Sequence, residues 1–441
     1  MRIEDKLRRN AERYPDDIAI VCGEKSLSYS ELYRSVCEKS SEMVEQKGRF
    51  VPIEANTSID FLITYFAVHL VGGIAVPLDK SVIGNIQYRF SCDTFLSDIC
   101  RMDIADVLYT TGTTGKSKGV MVSHDTIMAD AENLVEAQRF THDLTYVITG
   151  PLNHIGSLSK VYPTIYVGGT ICLVDGMKNI NAFFGAIDKA STKVATFLVP
   201  SSIRMLLALS GDKLSQYANK IDFIETGAAP MPFADMQTLC RLLPDSRLYN
   251  TYASTETGII STFDYNDGEC LPGCLGLPMK YSSFFITDEG RVACKGRTLM
   301  AGYWDDVEGA VLQTKQSDAF VTSDIGEIDQ YGRLLLKGRN DDVLNIGGFK
   351  VNPVEVEDAA MAFPGVKDCI CISAPHPIVG QVLKLLVVPQ DDYDRKRLAG
   401  FLKTKLEIYK VPSMYGEVES IHRTYNGKLD RKSYCPPSLS K

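Results

Sequence analysis

Between about Asp106 and Val321 the chain alternates short strand-like runs with helical patterns. Examples of the runs are Tyr146-Val147-Ile148-Thr149, Thr170-Ile171-Cys172-Leu173-Val174 and Val194–Pro200. A run of period two followed by a run of period 3.6, repeated, predicts an α/β architecture with layered sheets. With 441 residues, two or three domains are expected. The segment Lys337-Gly338-Arg339-Asn340-Asp341-Asp342 is polar and turn-forming, and it separates the strand-like Arg333–Leu336 from Val343–Ile346. Beyond it the pattern changes. Pro353–Phe363 and Asp394–Ile408 read as helices, and Cys369–Ala374 and Val382–Pro389 as strands. The expected organisation is therefore a large N-terminal core, residues 1–338, and a small α+β C-terminal domain, residues 343–441, joined through 339–342.

Bulk properties exclude several classes. Hydrophobic residues at 45% and charged residues at 23% are ordinary for a globular protein in water. A net charge of −8 argues against a partner bound through phosphate electrostatics, so no nucleic acid is expected. The start, Met1-Arg2-Ile3-Glu4-Asp5-Lys6, lacks the apolar core of a signal peptide, which leads us to expect a cytoplasmic protein. The longest apolar stretch, Phe61–Leu78, contains His69, Gly72, Gly73 and Pro77; it predicts a buried helix leading into a buried strand, not a membrane insertion. Upstream, a helix is expected over about Glu31–Val44, capped by Ser28 or Ser30. The twelve cysteines lie mostly inside apolar runs and are expected as reduced core thiols. The close pairs Cys270/Cys274 and Cys369/Cys371 have no second pair or histidine at zinc-finger spacing.

The sharpest local signal is Tyr109-Thr110-Thr111-Gly112-Thr113-Thr114-Gly115-Lys116-Ser117-Lys118-Gly119-Val120, directly after the strand-like Ala105–Tyr109. Glycines permit close backbone approach, threonine hydroxyls and backbone N–H groups bind phosphate oxygens, and lysines supply charge. The segment is not a Walker A loop. That motif needs a glycine five positions before Gly115, with four residues between the two, and the position is occupied by Thr110.

This loop resembles the phosphate-binding signature of the adenylate-forming superfamily, which comprises acyl-CoA synthetases, peptide-synthetase adenylation domains and luciferases. Ser117 stands where that signature carries Pro. Further segments match in the same order. Gly227-Ala228-Ala229-Pro230-Met231 is similar to the turn beside the adenine and acyl pocket. Tyr252-Ala253-Ser254-Thr255-Glu256 is similar to a Tyr-Gly-x-Thr-Glu element, and Thr322-Ser323-Asp324 to Thr-Gly-Asp. Gly338-Arg339-Asn340-Asp341 resembles the interdomain linker, Gly347-Gly348-Phe349-Lys350 the pantetheine tunnel loop, and Thr424–Arg431 the catalytic-lysine motif.

The resemblance implies residue roles. Thr110, Thr111, Gly112, Thr113, Thr114, Gly115 and Lys118 would hold the ATP phosphates, with Gly227, Ala228, Ala229 and Tyr252 at the adenine. Asp324 and Arg339 would hold the ribose. Thr255 would contact the α-phosphate, Glu256 would hold Mg2+, and Lys428 would be the catalytic lysine. Asp341 would be the hinge, and Gly348 and Lys350 would line the thiol tunnel. Pro151-Leu152-Asn153-His154-Ile155-Gly156 sits where acyl- and aryl-CoA ligases carry a Pro-Leu-x-His element, which would put His154 at the acyl pocket.

The implied reaction is ATP-dependent activation of a carboxylic acid to an acyl-AMP, followed by transfer to the thiol of CoA. Loading of an acyl carrier protein through its phosphopantetheine is an alternative, and so is a catalytically silent nucleotide-binding scaffold. No aspartate lies between Thr149 and Ile171 to hold a substrate ammonium, which disfavours an α-amino acid. The expected pocket walls, Val199–Ser202, Thr226–Ala229 and Ala253-Ser254, are small or weakly polar and suit an aromatic or medium acyl group. One departure stands out. Leu78 and Tyr109 are only 31 positions apart, so an N-terminal lobe is shortened, and Ser81–Met102 must replace a strand-helix unit or leave a sheet edge open.

Overall fold

The computed structural model describes residues 1–80, 103–110, 118–304, 311–314, 318–339, 342–346, 349–376, 380–423 and 429–434. Its architecture is the expected mixed α/β one, a large N-terminal domain followed by a small C-terminal one. The dominant sheet has thirteen strands and changes character halfway across. One half is parallel, running Ile18–Cys22, Thr170–Leu173, Leu144–Ile148, Lys193–Phe197, Ile221–Thr226 and Arg247–Ser254 side by side. These are the apolar runs that alternate with helices, and crossover helices cover parallel strands on both faces. The other half is antiparallel: Gly258–Asp264, Cys274–Pro278, Leu334–Arg339, Phe320–Ile328, Arg291–Gly296 and Ser282–Ile286. The lone strand Lys25–Ser28 closes the far parallel edge.

A second sheet of six strands carries Phe50–Glu54, Ile74–Leu78, Ile104–Thr110, Lys118–Ser123, Gly302–Trp304 and Val311–Thr314 in that spatial order. Here the shortened lobe finds its answer. Ile74–Leu78 lies directly beside Ile104–Thr110, parallel to it, with Ala75 opposite Asp106. The sheet therefore continues without a strand between them, while residues 81–102 lie outside the described residues.

Local chemistry sets the helix ends. Ser28 caps the helix Tyr29–Glu42: its hydroxyl accepts from the Glu31 N–H at 3.3 Å, and the Glu31 carboxylate accepts from the Ser28 N–H at 2.8 Å. That reciprocal pair is a capping box, and it starts the helix two residues earlier than expected. The apolar stretch divides as predicted into the helix Ile59–Val71 and the fully buried strand Ile74–Leu78. No helix among the described residues is long and apolar enough to cross a membrane. The cysteines among the described residues are free thiols, five of them buried.

The C-terminal unit packs Pro353–Met361 and Arg395–Lys405 on a three-stranded sheet of Val366–His376, Gly380–Pro389 and Met414–Glu417. Its own core includes Val356, Leu385, Leu398 and Leu402. One difference from expectation lies at the boundary. Lys337, Gly338 and Arg339 do not form a turn; they complete the strand Leu334–Arg339, held there by pairing with Phe320–Ile328.

Candidate active site

In open α/β sheets, ligands bind beyond the carboxyl ends of the parallel strands, because chain ends, helix N-termini and loops converge there. Four of the expected segments leave the parallel half at that edge. His154 follows Leu144–Ile148, Pro200 follows Lys193–Phe197, the Gly227-Ala228-Ala229 turn follows Ile221–Thr226, and Thr255-Glu256 follows Arg247–Ser254. Segments a hundred residues apart in sequence thus share one rim.

The side of this rim expected to meet the nucleotide is polar. The Tyr252 hydroxyl donates to Asp324 Oδ2 at 2.7 Å and to Thr322 Oγ1 at 3.3 Å. Burial and the neighbouring Asp324 carboxylate push the Tyr252 hydroxyl well above its ordinary pKa, so it remains a donor. Asp324 stands opposite Arg339 in the antiparallel register, and Arg339 Nε lies 3.4 Å from Asp324 Oδ1. Arg339 also donates from Nη2 to Ser323 Oγ at 2.6 Å. Three residues expected at the nucleoside are therefore one connected group, with the carboxylate between the phenol and the guanidinium.

A second polar group forms where the threonine–glycine loop begins and ends. Ile104–Thr110 and Lys118–Ser123 pair antiparallel, with Thr110 opposite Lys118. Lys118–Ser123 also pairs with Gly302–Trp304, which brings Lys118 Nζ to 5.1 Å from the centre of the Tyr303 ring. The Tyr303 hydroxyl donates to Glu256 Oε1 at 3.3 Å, and burial beside that carboxylate raises the pKa of the phenol. Tyr303 was not anticipated. The signal in the sequence was the aromatic pair in Gly302-Tyr303-Trp304, a short strand with no motif of its own. Thr255 and Glu256 lie in the tight connection closed by Ser254 and Thr257, with the Thr257 N–H donating to Ser254 Oγ at 3.1 Å. Asp130, on the helix His124–Ala137, supports this turn by accepting the Ile259 N–H at 2.8 Å. A carboxylate with an oxygen to spare, beside hydroxyls and the ends of the threonine–glycine loop, is a donor set that suits Mg2+, which takes one or two carboxylates together with substrate phosphates.

The acyl side is different in kind. The Phe197 ring lies between two glycines: a Cβ on Gly156 would come within 3.2 Å of it, and one on Gly227 within 3.6 Å. The Gly227 Cβ would also meet the Thr251 carbonyl at 2.8 Å, so only glycine fits there. Its neighbour Ala228 takes φ of 66°, a left-handed conformation that costs a non-glycine residue about 1 kcal/mol and that the packing around it must enforce. His154 caps the short helix Ile155–Leu158, which carries Gly156 against Phe197. Next to this wall lies a buried ion pair, Lys160 Nζ to Glu225 Oε1 at 2.8 Å, with the Tyr146 hydroxyl on Glu225 Oε2 at 3.3 Å and Lys160 Nζ 5.2 Å from the Phe197 ring centre. Phe197, Lys160 and Glu225 were not anticipated either.

Thr111, Gly112, Thr113, Thr114, Gly115, Asp341, Gly348 and Lys428 lie outside the described residues, as does the side chain of Lys350, whose backbone belongs to the strand Phe349–Val351. The residues next to Lys428 are firmly anchored. Leu429 pairs with Arg423, and Arg431 makes a bidentate contact with the buried Glu357, at 2.5 Å to Oε1 and 2.8 Å to Oε2. Glu357 Oε1 also accepts the Cys371 N–H at 2.6 Å, so the anchor is tied into the sheet.

The model of the AMP-binding enzyme family matches residues 7–84 and 94–304, and that of the AMP-binding enzyme C-terminal domain matches 355–428. The chain is 29% identical over 338 residues to a 2-succinylbenzoate–CoA ligase of Staphylococcus aureus (strain JH9), covering 75% of this chain and 66% of that protein's length. Among solved structures it is similar to ATP-bound MatB from Rhodopseudomonas palustris, with a TM-score of 0.86 and 24% identity over 98% of this chain and 99% of that one. It is also similar to o-succinylbenzoate CoA synthetase (MenE) from Bacillus subtilis with the acyl-adenylate OSB-AMP, with a TM-score of 0.83 and 21% identity over 97% of each chain.

Proposed function

The chain belongs to the AMP-binding enzyme family, and from that premise we propose that it activates a carboxylic acid with ATP as the acyl-adenylate and passes the acyl group to the thiol of CoA. The observation that carries this reading is the joining of Tyr252, Asp324 and Arg339, 72 and 15 positions apart in sequence, into one group at the sheet rim, by a hydrogen bond from Tyr252 and an ion pair to Arg339. Tyr252 and the Gly227-Ala228-Ala229 turn form the adenine surface, and Asp324 with Arg339 takes the ribose hydroxyls. Thr110–Gly115 and Lys118 orient the β- and γ-phosphates.

The acid carboxylate attacks the α-phosphorus, the bond to the bridging oxygen breaks, and pyrophosphate leaves. Two anions must meet, so catalysis is chiefly positioning and charge stabilisation. Thr255 and Lys428 act at the α-phosphate, with Lys428 bridging to the carboxylate. Glu256 holds Mg2+, which when bound neutralises phosphate charge. In the second step the thiol sulfur attacks the acyl carbon and AMP departs. For that step residues 343–441 turn about Asp341, within 339–342, and Gly348 and Lys350 line the path of the pantetheine. The domain limits 1–338 and 343–441 belong to this reading, as does a cytoplasmic setting, where ATP and CoA are available.

For the acid, an aromatic or medium acyl group suits Phe197 and the glycines that face it, with His154 at the mouth. The relative that turns 2-succinylbenzoate into its CoA thioester supports an aryl acid. CoA is favoured over a carrier protein because two of the named relatives are a CoA ligase and a CoA synthetase. The test is ATP–pyrophosphate exchange across a panel of carboxylic acids. Lys428→Ala should still bind ATP and lose about 10²- to 10³-fold of the exchange rate, the scale of one preorganised charge-stabilising group. Unchanged exchange in that variant would overturn the assignment of Lys428, and silence of the folded wild type over a broad panel would overturn the adenylation reading.

A further inference from the structure

Away from the rim, three buried side chains from three different helices meet. Glu4 comes from Ile3–Arg13, His69 from Ile59–Val71, and His124 opens His124–Ala137. Their relative exposures are 5%, 0% and 3%. One ligand atom from each lies within 4.8 Å of the others. His69 Nδ1 is 2.8 Å from Glu4 Oε1, and the two imidazoles meet edge to face with centroids 5.0 Å apart.

Two atoms of this cluster are out of order. Glu4 Oε2 and His124 Nδ1 are buried and have no hydrogen-bond partner. A buried polar atom left unpaired costs about 1–3 kcal/mol, more when charged, and calls for a water or an ion to satisfy it. Here both orphaned atoms belong to the same group of three ligand-type side chains.

The surroundings of His69 sharpen the choice. Its other nitrogen, Nε2, is 2.9 Å from Asp106 Oδ1. Asp106 is itself fixed, since Oδ2 accepts the Tyr65 hydroxyl at 2.8 Å and the Tyr162 hydroxyl at 3.4 Å. A metal-bound imidazole characteristically gives its second N–H to a carboxylate, which sets the ring's tautomer and orientation. Asp106 supplies that partner already held in place.

We propose that Glu4, His69 and His124 form a structural site for a zinc-class divalent cation, with Asp106 orienting His69 from outside the coordination sphere. Two imidazoles and one carboxylate select Zn2+ or Co2+ over Mg2+, which takes oxygen ligands. On binding, His69 Nδ1 releases its proton to solvent and turns its lone pair to the ion. Glu4 then exchanges its hydrogen bond to His69 for a bond to the cation, and His124 Nδ1 and the spare Glu4 oxygen gain the partner they lack. The site ties the first helix to the strand Ile104–Thr110, whose far end begins the phosphate loop. It is independent of the adenylation reading, because none of its three ligands is among the residues assigned to that site.

The test uses the full chain, stripped with a chelator and titrated with Co2+ and then Zn2+. One equivalent of Co2+ should bind with ligand-field absorption and no sulfur-to-metal charge transfer, and Zn2+ should displace it and raise Tm. Glu4→Gln and His124→Gln should each raise the Kd at least tenfold, and Asp106→Asn by about 10- to 100-fold. X-ray absorption on the zinc-loaded wild type, which needs no variant to fold, should count two imidazoles and no sulfur. Failure of the folded wild type to bind, sulfur among the ligands, or an unchanged Kd in folded Glu4→Gln and His124→Gln would each overturn the site.

Discussion

The two sides of the rim solve different problems with different parts of the same sheet. The side expected at the nucleotide draws on the antiparallel half, where register puts Asp324 opposite Arg339, and on Tyr252 near the end of the last parallel strand. Charged and hydroxyl groups there are paired before any ligand arrives. The acyl side draws on the ends of parallel strands, where an aromatic ring is slotted between glycines and a buried ion pair lies next to it. In the proposed reading the first recognises a constant ligand through hydrogen bonds, and the second selects a variable one by shape. A pocket that hydrogen-bonds its ligand discriminates strongly, whereas one that senses apolar volume discriminates by only about 1–3 kcal/mol.

Three substitutions test this division. Asp324→Ala should strike the nucleotide side hardest. Losing a charged acceptor for two ribose hydroxyls should raise the KM for ATP about 100-fold, with the order of preference among acids unchanged; steady-state kinetics at saturating acid would show it. A reordered acid preference would break the separation. Phe197→Ala should do the opposite. The KM for ATP should stay near that of the wild type while the kcat/KM ratio between a small and a bulky acid shifts about tenfold. An equal loss for every acid would mean that the ring supports the fold and does not select.

The smallest effect concerns the turn that carries Glu256. Burial pushes the Asp130 carboxyl up to about 8. As pH rises from about 4 towards 8, the unfolded chain gives up this proton while the folded chain retains it, so the group lowers stability across that window. Asp130→Asn keeps an oxygen for the Ile259 N–H and has nothing to titrate. Its Tm should therefore gain on the wild type by about one to a few degrees between pH 5 and pH 8. Parallel Tm curves would remove Asp130 as the source.

Much of the fold was legible because its signals are local. The apolar stretch Phe61–Leu78 divided into helix and strand as its glycines indicated, and Ser28, one of two candidate caps, announced a helix start. The strand-like Arg333–Leu336 was expected but its last three residues were missed, since Lys337-Gly338-Arg339 are turn residues by composition and strand residues only by virtue of pairing with Phe320–Ile328. Candidate site residues that sit in compact motifs, such as Tyr252 and Asp324, could be proposed from the sequence. Phe197 and Tyr303 could not, because each stands among ordinary strand residues and acquires its role from a neighbour supplied by another element.

By itself the sequence determined the order of the chemical segments, their residue types, and the strand-to-loop transitions that would expose them. Those properties depend on backbone preferences and side-chain chemistry within a few positions. Only the tertiary structure decided which segments touch. Lys160 and Glu225 are 65 positions apart, and Glu4 and His69 likewise, and each pair is buried face to face. Strand order in a sheet does not follow chain order, so a partner at such a distance is assigned by the packing of the whole core and leaves no local trace in the sequence.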